Sequence, residues 1–198
     1  MIGIIDYGAG NIQSVKRTLG YLGEEPQMVT SPKDFKDVHK LILPGVGAFR
    51  SAAERLRVSG MYNRVEDWIR SEKPFLGICL GMQLLFEESE EAEGTDGFGV
   101  FKGRVVRFKG RKVPQMGWNQ VKIQKNSPLM SGIKDNSFFY FLHGYHLQTE
   151  EDIVVGTTEY GVNYPSVIGE GNSYAVQFHP EKSGNTGLKL LKNWVRKC

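Results

Sequence analysis

The stretch Phe75-Leu76-Gly77-Ile78-Cys79-Leu80-Gly81-Met82-Gln83 decides the fold, because an apolar strand runs through Gly-x-Cys-x-Gly into a helix. This pattern is typical of a nucleophile elbow, whose sharp turn leaves no room for side chains two residues on either side of the nucleophile. The turn holds Cys79 at a helix N-terminus, where the helix dipole and free N–H groups favour a thiolate. The Leu80 amide is then placed to donate to a developing oxyanion. A buried structural cysteine between packing glycines is the alternative from this stretch alone.

The first half of the chain alternates between apolar runs and helical patterns. Strands are predicted at 2–5, 27–30, 40–43 and 74–78, and helices at 11–22, 48–57, 62–71 and 80–88. This alternation predicts a parallel sheet with helices packed on it.

The second half is richer in strands, which are predicted at 100–108, 120–123, 138–142, 153–158, 166–168 and 174–177. An amphipathic helix is predicted at 184–197. The sequence has no internal repeat, low-complexity stretch or linker. We therefore expect one α/β domain over 1–198, with a central mixed, mostly parallel sheet flanked by helices and a strand-rich second half.

Composition excludes several classes of function. The net charge of the 198 residues is only +3, and no block of like charges argues for nucleic acid. The acidic run at 87–91 is interrupted and predicts a helix end that enters a solvated loop. Two cysteines are too few for a disulfide framework. With neither a signal peptide nor a membrane-length apolar stretch, we expect a soluble, cytoplasmic protein.

A nucleophilic cysteine needs a histidine base, and His179 is the best of four candidates. It follows a predicted strand in Gln177-Phe178-His179-Pro180-Glu181. Residues i and i+2 of an extended chain point the same way, so Glu181 is expected to orient His179. An ordinary surface turn is the alternative. His143 and His146 have poor spacing for metal ligands and lack a third ligand, so we expect no metal ion.

Nothing in the chain predicts a bound cofactor. Gly8-Ala9-Gly10 follows the first strand, but Gln13 stands where a dinucleotide fingerprint needs its third glycine. The sequence contains neither a phosphate-binding Walker loop nor a zinc-protease helix motif.

Five segments, spread over nearly the whole chain, resemble the class I, triad-type glutamine amidotransferases. They are Asp6-Tyr7-Gly8-Ala9-Gly10-Asn11, Pro44-Gly45-Val46-Gly47-Ala48-Phe49, Gly77-Ile78-Cys79-Leu80-Gly81-Met82-Gln83-Leu84-Leu85-Phe86, Met116-Gly117-Trp118-Asn119 and Gln177-Phe178-His179-Pro180-Glu181-Lys182-Ser183. The elbow and His-Pro-Glu are shared by many members of that family. The first and fourth segments are more specific to the branch that serves the formation of imidazole glycerol phosphate.

The resemblance implies that Cys79, His179 and Glu181 form a catalytic triad that hydrolyses glutamine through a thioester. It also implies an oxyanion hole built from the amides of Val46 and Leu80. The residues implied to hold glutamine are Gly47, Gln83, Gly144 and Tyr145. Gly144 departs from the Ser or Thr that the family often has there, which puts a side-chain contact to glutamine in doubt.

The resemblance further implies a heterodimer, in which ammonia passes to a (β/α)-barrel cyclase subunit that makes imidazole glycerol phosphate and aminoimidazole carboxamide ribotide in histidine biosynthesis. The residues implied to face this partner are Asn11, Trp118, Tyr140 and Lys182.

Three alternatives stay open at this point. A paralogous glutaminase could feed ammonia to a different synthase, for example in sugar amidination. The same triad could serve a cysteine peptidase or a γ-glutamyl hydrolase, against which the absent secretion signal and the Met-Gly-Trp-Asn segment count. A non-catalytic binding subunit is the third, and the intact triad counts against it.

Overall fold

Twelve strands and five α-helices make up the computed structural model, which describes every residue from Met1 to Cys198. The strands are β1 (Ile2–Ile5), β2 (Gln27–Val29), β3 (Lys40–Gly45), β4 (Phe75–Cys79), β5 (Phe86–Ser89), β6 (Phe101–Arg107), β7 (Gln115–Ile123), β8 (Ser137–His143), β9 (Tyr145–Gln148), β10 (Val154–Glu159), β11 (Asn163–Glu170) and β12 (Ser173–Val176). The helices are α1 (Ile12–Tyr21), α2 (Phe49–Val58), α3 (Met61–Arg70), α4 (Leu80–Gln83) and α5 (Gly184–Lys197). Short 3₁₀ turns lie at Pro32–Asp37, Pro128–Met130 and Pro180–Lys182.

The central sheet has nine strands in the order β2-β1-β3-β4-β12-β11-β10-β7-β8. The strands from β2 to β12 pair in parallel. From β12 to β8 every pair is antiparallel. The predicted mixed sheet is confirmed, and its parallel pairing is confined to the first five strands of this order. β12 is the junction, because it pairs in parallel with β4 and antiparallel with β11.

Successive side chains of the central strands point to opposite faces of the sheet, and each face packs into its own hydrophobic core. Leu41 and Leu43 pack with α2, α3 and a second sheet of order β5-β6-β9. Ile42 points the other way and packs with α1 and α5. The sheet is therefore covered on both faces, as parallel strands require. None of the helices is both long and apolar enough to cross a membrane.

The prediction of one helix over 80–88 is wrong, because α4 ends at Gln83 and β5 follows it. The Leu84 carbonyl accepts from the Phe98 amide at 2.7 Å, and the Leu85 carbonyl accepts from the Val100 amide at 2.9 Å. Because these two carbonyls already accept other hydrogen bonds, they are not available for the i to i+4 bonds that would extend α4. The acidic run is also not a helix end in a loop, since Glu87 and Glu88 lie within the second sheet.

Besides β5, two stretches of strand were not predicted. β9 was missed entirely, and β7 begins at Gln115 rather than at residue 120. Both have short or weakly alternating apolar patterns, and their conformation depends on partners distant in sequence. β7 and β8 form the antiparallel pair at the far end of this sheet order, and β8 reaches the segment that follows β12 through the hydrogen bond from the His179 amide to the Tyr140 carbonyl.

Candidate functional site

Cys79 lies at the sharp turn between β4 and α4, as the elbow pattern predicts. Its backbone has φ 55° and ψ −107°, an unusual conformation for a residue with a side chain. A Cβ on Gly77 would lie 2.7 Å from the Gly81 carbonyl oxygen, and one on Gly81 would overlap the Leu43 carbonyl oxygen. The expected steric reason for both glycines is thus confirmed. The Cys79 side chain is almost buried, with only 5% of the residue exposed.

The predicted oxyanion turn lies directly beside the elbow. Gly45 is the register partner of Cys79 in the parallel pair of β3 and β4, so Val46 leaves the sheet next to Leu80. Val46 is exposed, and Gly47 has φ +102° with open space around it. Backbone of this kind can approach a ligand closely, because no side chain stands in the way.

His179 lies shortly after the end of β12, directly before the 3₁₀ turn Pro180–Lys182, and contacts Glu181, as predicted. His179 Nδ1 is 2.9 Å from Glu181 Oε1, and both side chains are at least 98% buried. The predicted geometry was wrong, because Glu181 lies in a 3₁₀ turn rather than on extended chain. This turn brings its carboxylate back under the imidazole. Asn11 Nδ2 also donates to Glu181 Oε1, at 3.2 Å, so Asn11 lies beside the pair of His179 and Glu181.

The charges around His179 favour its protonated form. Burial lowers the pKa of His179, but the neighbouring Cys79 thiolate and Glu181 carboxylate outweigh burial and raise the pKa to about 10. His179 Nε2 is buried and has no hydrogen-bond partner. The nitrogen opposite the one that meets Glu181 is therefore free to exchange a proton in the space beside Cys79.

Gln83 and Gln177 form a polar pair on the inner side of the elbow. Gln83 Nε2 donates to Gln177 Oε1 at 3.1 Å and to the Tyr145 carbonyl at 3.4 Å. Gln177 Nε2 in turn donates to Cys79 Sγ at 3.7 Å, a contact that stabilises negative charge on sulfur. The sequence signal for Gln177 was its position two residues before His179 in the segment that follows β12, and this role was not predicted.

Gly144 and Tyr145, predicted to hold glutamine, lie where β8 turns into β9. The preceding Leu142 carbonyl oxygen lies 3.8 Å from Cys79 Sγ, so this turn borders the elbow cysteine. A Cβ on Gly144 would come within 3.2 Å of Val113. This tight fit gives a physical reason for glycine at a position where a Ser or Thr would crowd its neighbour.

A patch of large apolar side chains covers the outer face of β7 and β8, and we call it the hairpin face. It consists of Met116, Trp118, Phe138 and Tyr140. Met116, Trp118 and Phe138 are each more than half exposed. Trp118 and Tyr140 are register partners with ring centroids 6.2 Å apart, and Lys182 Nζ lies 6.0 Å from the Tyr140 ring. Three of the four residues predicted to face a partner, Trp118, Tyr140 and Lys182, therefore lie together.

The hairpin face is hydrogen-bonded directly to the segment that carries His179. The His179 amide donates to the Tyr140 carbonyl at 2.9 Å, and the Tyr140 amide donates to Ser183 Oγ at 3.0 Å. A cavity of about 1130 Å³ lies elsewhere, between β6, β9 and β11. Half of its lining residues are charged, with both signs present, and it contains none of Cys79, His179 and Glu181. No three His, Cys, Asp or Glu side chains are placed to hold a metal ion.

Comparison of the whole chain with known proteins identifies a family and full-length relatives. The family model for class-I glutamine amidotransferases matches residues 3–198. The chain is 52% identical to imidazole glycerol phosphate synthase subunit HisH of Methanocaldococcus jannaschii, over 98% of each chain. It is 47% identical to the protein of the same name from Thermococcus kodakarensis, over 99% of this chain and all of that one.

Solved structures share the fold at lower identity. A structure described as a glutamine amidotransferase superposes with a TM-score of 0.77 at 19% identity, covering 98% of both chains. PurLQS from Thermotoga maritima superposes with a TM-score of 0.76 at 20% identity, covering 98% of this chain and 96% of that one. These likenesses confirm the predicted fold class.

Proposed function

The chain belongs to the class I glutamine amidotransferase family, and we propose that it is the glutaminase subunit of an imidazole glycerol phosphate synthase, acting in histidine biosynthesis. The observation that carries the catalytic part is the buried pair of His179 Nδ1 and Glu181 Oε1 at 2.9 Å, whose free Nε2 lies beside the elbow cysteine. The full-length relatives carry that enzyme's name at about half identity.

In the first step we assign Cys79 as the nucleophile. Its thiolate forms an S–C bond with the amide carbon of glutamine, and the carbonyl oxygen takes up negative charge. His179 gives its Nε2 proton to the amide nitrogen, the C–N bond breaks, and ammonia leaves. The raised pKa of His179 means that this proton is present at neutral pH.

In the second step the same groups act in reverse. Neutral His179 removes a proton from water, whose oxygen attacks the thioester carbon. The C–S bond breaks, glutamate leaves, and the thiolate and imidazolium are restored. Glu181 stays ionised throughout and holds Nδ1, so that Nε2 always faces the substrate.

The oxyanion formed in both steps needs hydrogen-bond donors, and the turns that follow β3 and β4 are placed to supply them. Leu80, the first residue of α4, and Val46, in the adjacent turn, are the residues we assign to this role. The helix N-terminus adds its own favourable potential for negative charge. The Gly47 and Tyr145 backbone and the Gln83 side chain border the remaining space and are assigned to glutamine.

The relatives are named as subunits, so the enzyme to which this chain contributes has a partner subunit. We assign the hairpin face with Lys182 as the docking surface for this partner, a (β/α)-barrel cyclase. An exposed apolar patch rimmed by charge is typical of a protein interface. Ammonia would then be released beside the partner rather than into bulk water, because the hydrogen bond of His179 to Tyr140 joins the triad to this face.

The triad assignment is tested by alkylation with a glutamine-like diazoketone, mapped by peptide mass spectrometry. We expect labelling at Cys79, blocked by glutamine and accelerated by the cyclase. Cys198 is the internal control, because burial raises the pKa of its thiol to about 11 and keeps it protonated. Labelling at Cys198 alone, or labelling that glutamine does not block, would contradict the proposal.

The docking assignment is tested by Trp118→Ala. A central aromatic residue of an interface contributes about 2 kcal/mol or more, so we expect the Kd for the cyclase to rise at least about 30-fold. Tyr21→Ala on α1 removes another exposed aromatic ring and should leave the Kd unchanged. Equal affinity of both variants for the cyclase would move the docking surface elsewhere, and binding of another synthase instead would identify a different ammonia acceptor.

A further inference from the structure

A chain of buried polar side chains lies behind the turn that carries Gly144 and Tyr145. It joins Gln115 on β7, Tyr164 on β11 and His143 on β8, which are 3%, 1% and 6% exposed. The Tyr164 hydroxyl is 2.8 Å from Gln115 Oε1 and 3.3 Å from His143 Nε2. His143 Nδ1 is 2.6 Å from the Tyr145 carbonyl oxygen.

The protons along this chain can be assigned from its far end. A carbonyl oxygen only accepts, so the bond to Tyr145 requires a proton on His143 Nδ1. Burial lowers the pKa of His143 to about 3, with smaller contributions from the positive charges of His146 and His179. His143 is therefore neutral, and its Nε2 carries only a lone pair. The Tyr164 hydroxyl must then donate to His143 Nε2.

This assignment also settles the orientation of Gln115. Having donated to His143, the Tyr164 hydroxyl oxygen can only accept from Gln115, so the side-chain amide must present its Nε2–H. The orientation with Oε1 towards Tyr164 leaves Nε2 buried without a partner. The two orientations differ only in which atom is nitrogen, and only the rotated one lets Gln115 donate to Tyr164 while Tyr164 donates to His143.

We propose that Gln115, Tyr164 and His143 are positioning residues, linked in one hydrogen-bonded chain that fixes the Tyr145 carbonyl and so the backbone that binds glutamine. The inference rests on the proposed glutaminase function. The donors of the chain all point one way. Gln115 Nε2–H donates to the Tyr164 hydroxyl, the Tyr164 O–H donates to His143 Nε2, and His143 Nδ1–H donates to the Tyr145 carbonyl.

The consequence for the site follows from what else meets the Tyr145 carbonyl. Gln83 Nε2 donates to the same oxygen at 3.4 Å and to Gln177. A shift of this carbonyl would therefore move both the Gly144–Tyr145 backbone and Gln83. Since these are binding groups rather than proton-transfer groups, loss of the chain should weaken glutamine binding and spare the chemical step.

The kinetic test compares two leucine substitutions. His143→Leu removes both nitrogens, and we expect the KM for glutamine to rise about 10-fold with kcat changed less than about 3-fold. His146→Leu is the matched control, because His146 is also buried and packs on Phe108 and Tyr164, yet its Nδ1 meets the Leu147 carbonyl rather than the Tyr145 carbonyl.

Two further variants separate positioning from packing. His143→Asn can present an amide donor where Nδ1 lies, and should recover a substantial part of the lost affinity. Tyr164→Phe keeps the ring and removes only the hydroxyl, and should raise KM about 3-fold. An unchanged KM in His143→Leu, or equal KM values for His143→Leu and His143→Asn, would overturn the proposal.

The tautomer is measured directly by ¹⁵N NMR of the imidazoles in the free protein. We expect His143 to be neutral with its proton on Nδ1, and Tyr164→Phe to shift the Nε2 resonance. A proton on Nε2 would overturn the chain whatever the kinetics show. If the wild type with its cyclase hydrolyses no glutamine, the proposed function fails, and the tautomer alone then decides the hydrogen-bond chain.

Discussion

The parallel and antiparallel halves of the central sheet hold their parts of the site by different means. In the parallel half, the turn at Cys79 is fixed by close backbone contacts, in which Gly77 and Gly81 leave no room for a Cβ. In the antiparallel half, His179 and the Gly144–Tyr145 turn are held by buried polar side chains. β12 joins the two halves, and its parallel pairing with β4 brings the segment that carries His179 beside Cys79.

The two halves of the sheet should therefore be sensitive to different kinds of substitution. A site held by close packing responds to side-chain volume and little to charge. A site held by buried hydrogen bonds responds to the loss of a single charge or proton, because an unpaired buried polar group is costly. Substitutions of similar size should therefore act through different measurable quantities in the two halves.

Glu181→Gln has the largest expected effect and tests the polar half. It keeps the size of the side chain but removes the negative charge that favours the His179 imidazolium. We expect kcat to fall by about 10² to 10⁴-fold with little change in the KM for glutamine. Glu66→Gln, which removes a carboxylate paired with Arg70 at 2.9 Å on α3, is the control. Equal turnover in the two variants would show that Glu181 is not the orienting group.

Gly81→Ala tests the parallel half. Its Cβ would overlap the Leu43 carbonyl oxygen, so the elbow and β3 must move apart. We expect the free energy of unfolding to fall by about 3 kcal/mol, measured as a lower urea midpoint. Gly20→Ala in α1 meets nothing within 4 Å and should gain up to about 1 kcal/mol. A midpoint unchanged in Gly81→Ala would mean that the elbow tolerates volume.

The parallel half was largely predictable, because its information is local. An apolar run, a glycine-flanked cysteine and a helical pattern follow one another in sequence, and β4 and Cys79 lie where that order places them. The exception is the 80–88 segment, where the helical pattern continues but the Leu84 and Leu85 carbonyls are taken by amides from 98 and 100. No pattern within the segment contains that information.

The antiparallel half was predictable only in part. The pairing of His179 with Glu181 was expected, although the 3₁₀ turn that produces it was not. Tyr164 and Gln115 carry no sequence signal, because a buried Tyr and a buried Gln become a chain only when β11 and β7 are brought to His143. Long-range register, rather than local preference, creates this part of the site.

The smallest expected effect is a pH dependence of stability that belongs to the polar half. In the folded protein burial lowers the pKa of His143 from 6.5 to about 3. Between these values the unfolded chain binds a proton that the folded chain does not, so this contribution to stability falls as pH decreases. It is fully present above pH 6.5. We expect a loss of about 2 kcal/mol between pH 6.5 and pH 5, measured by urea unfolding.

The contribution of His143 to this pH dependence is obtained by comparing the wild type with His143→Asn. His143→Asn should flatten the slope in this range, even though it lowers stability at every pH. His146, whose pKa burial also lowers, titrates in the same direction in both proteins and cancels in the comparison. His179 stays protonated in the folded chain throughout this range because its pKa is raised, and its titration in the unfolded chain is the same in both proteins and also cancels. His39→Asn removes an exposed histidine and should keep the full slope. If His143→Asn also keeps the full slope, the polar half is not held by a neutral buried imidazole. The contrast between the polar half and the close-packed elbow then disappears.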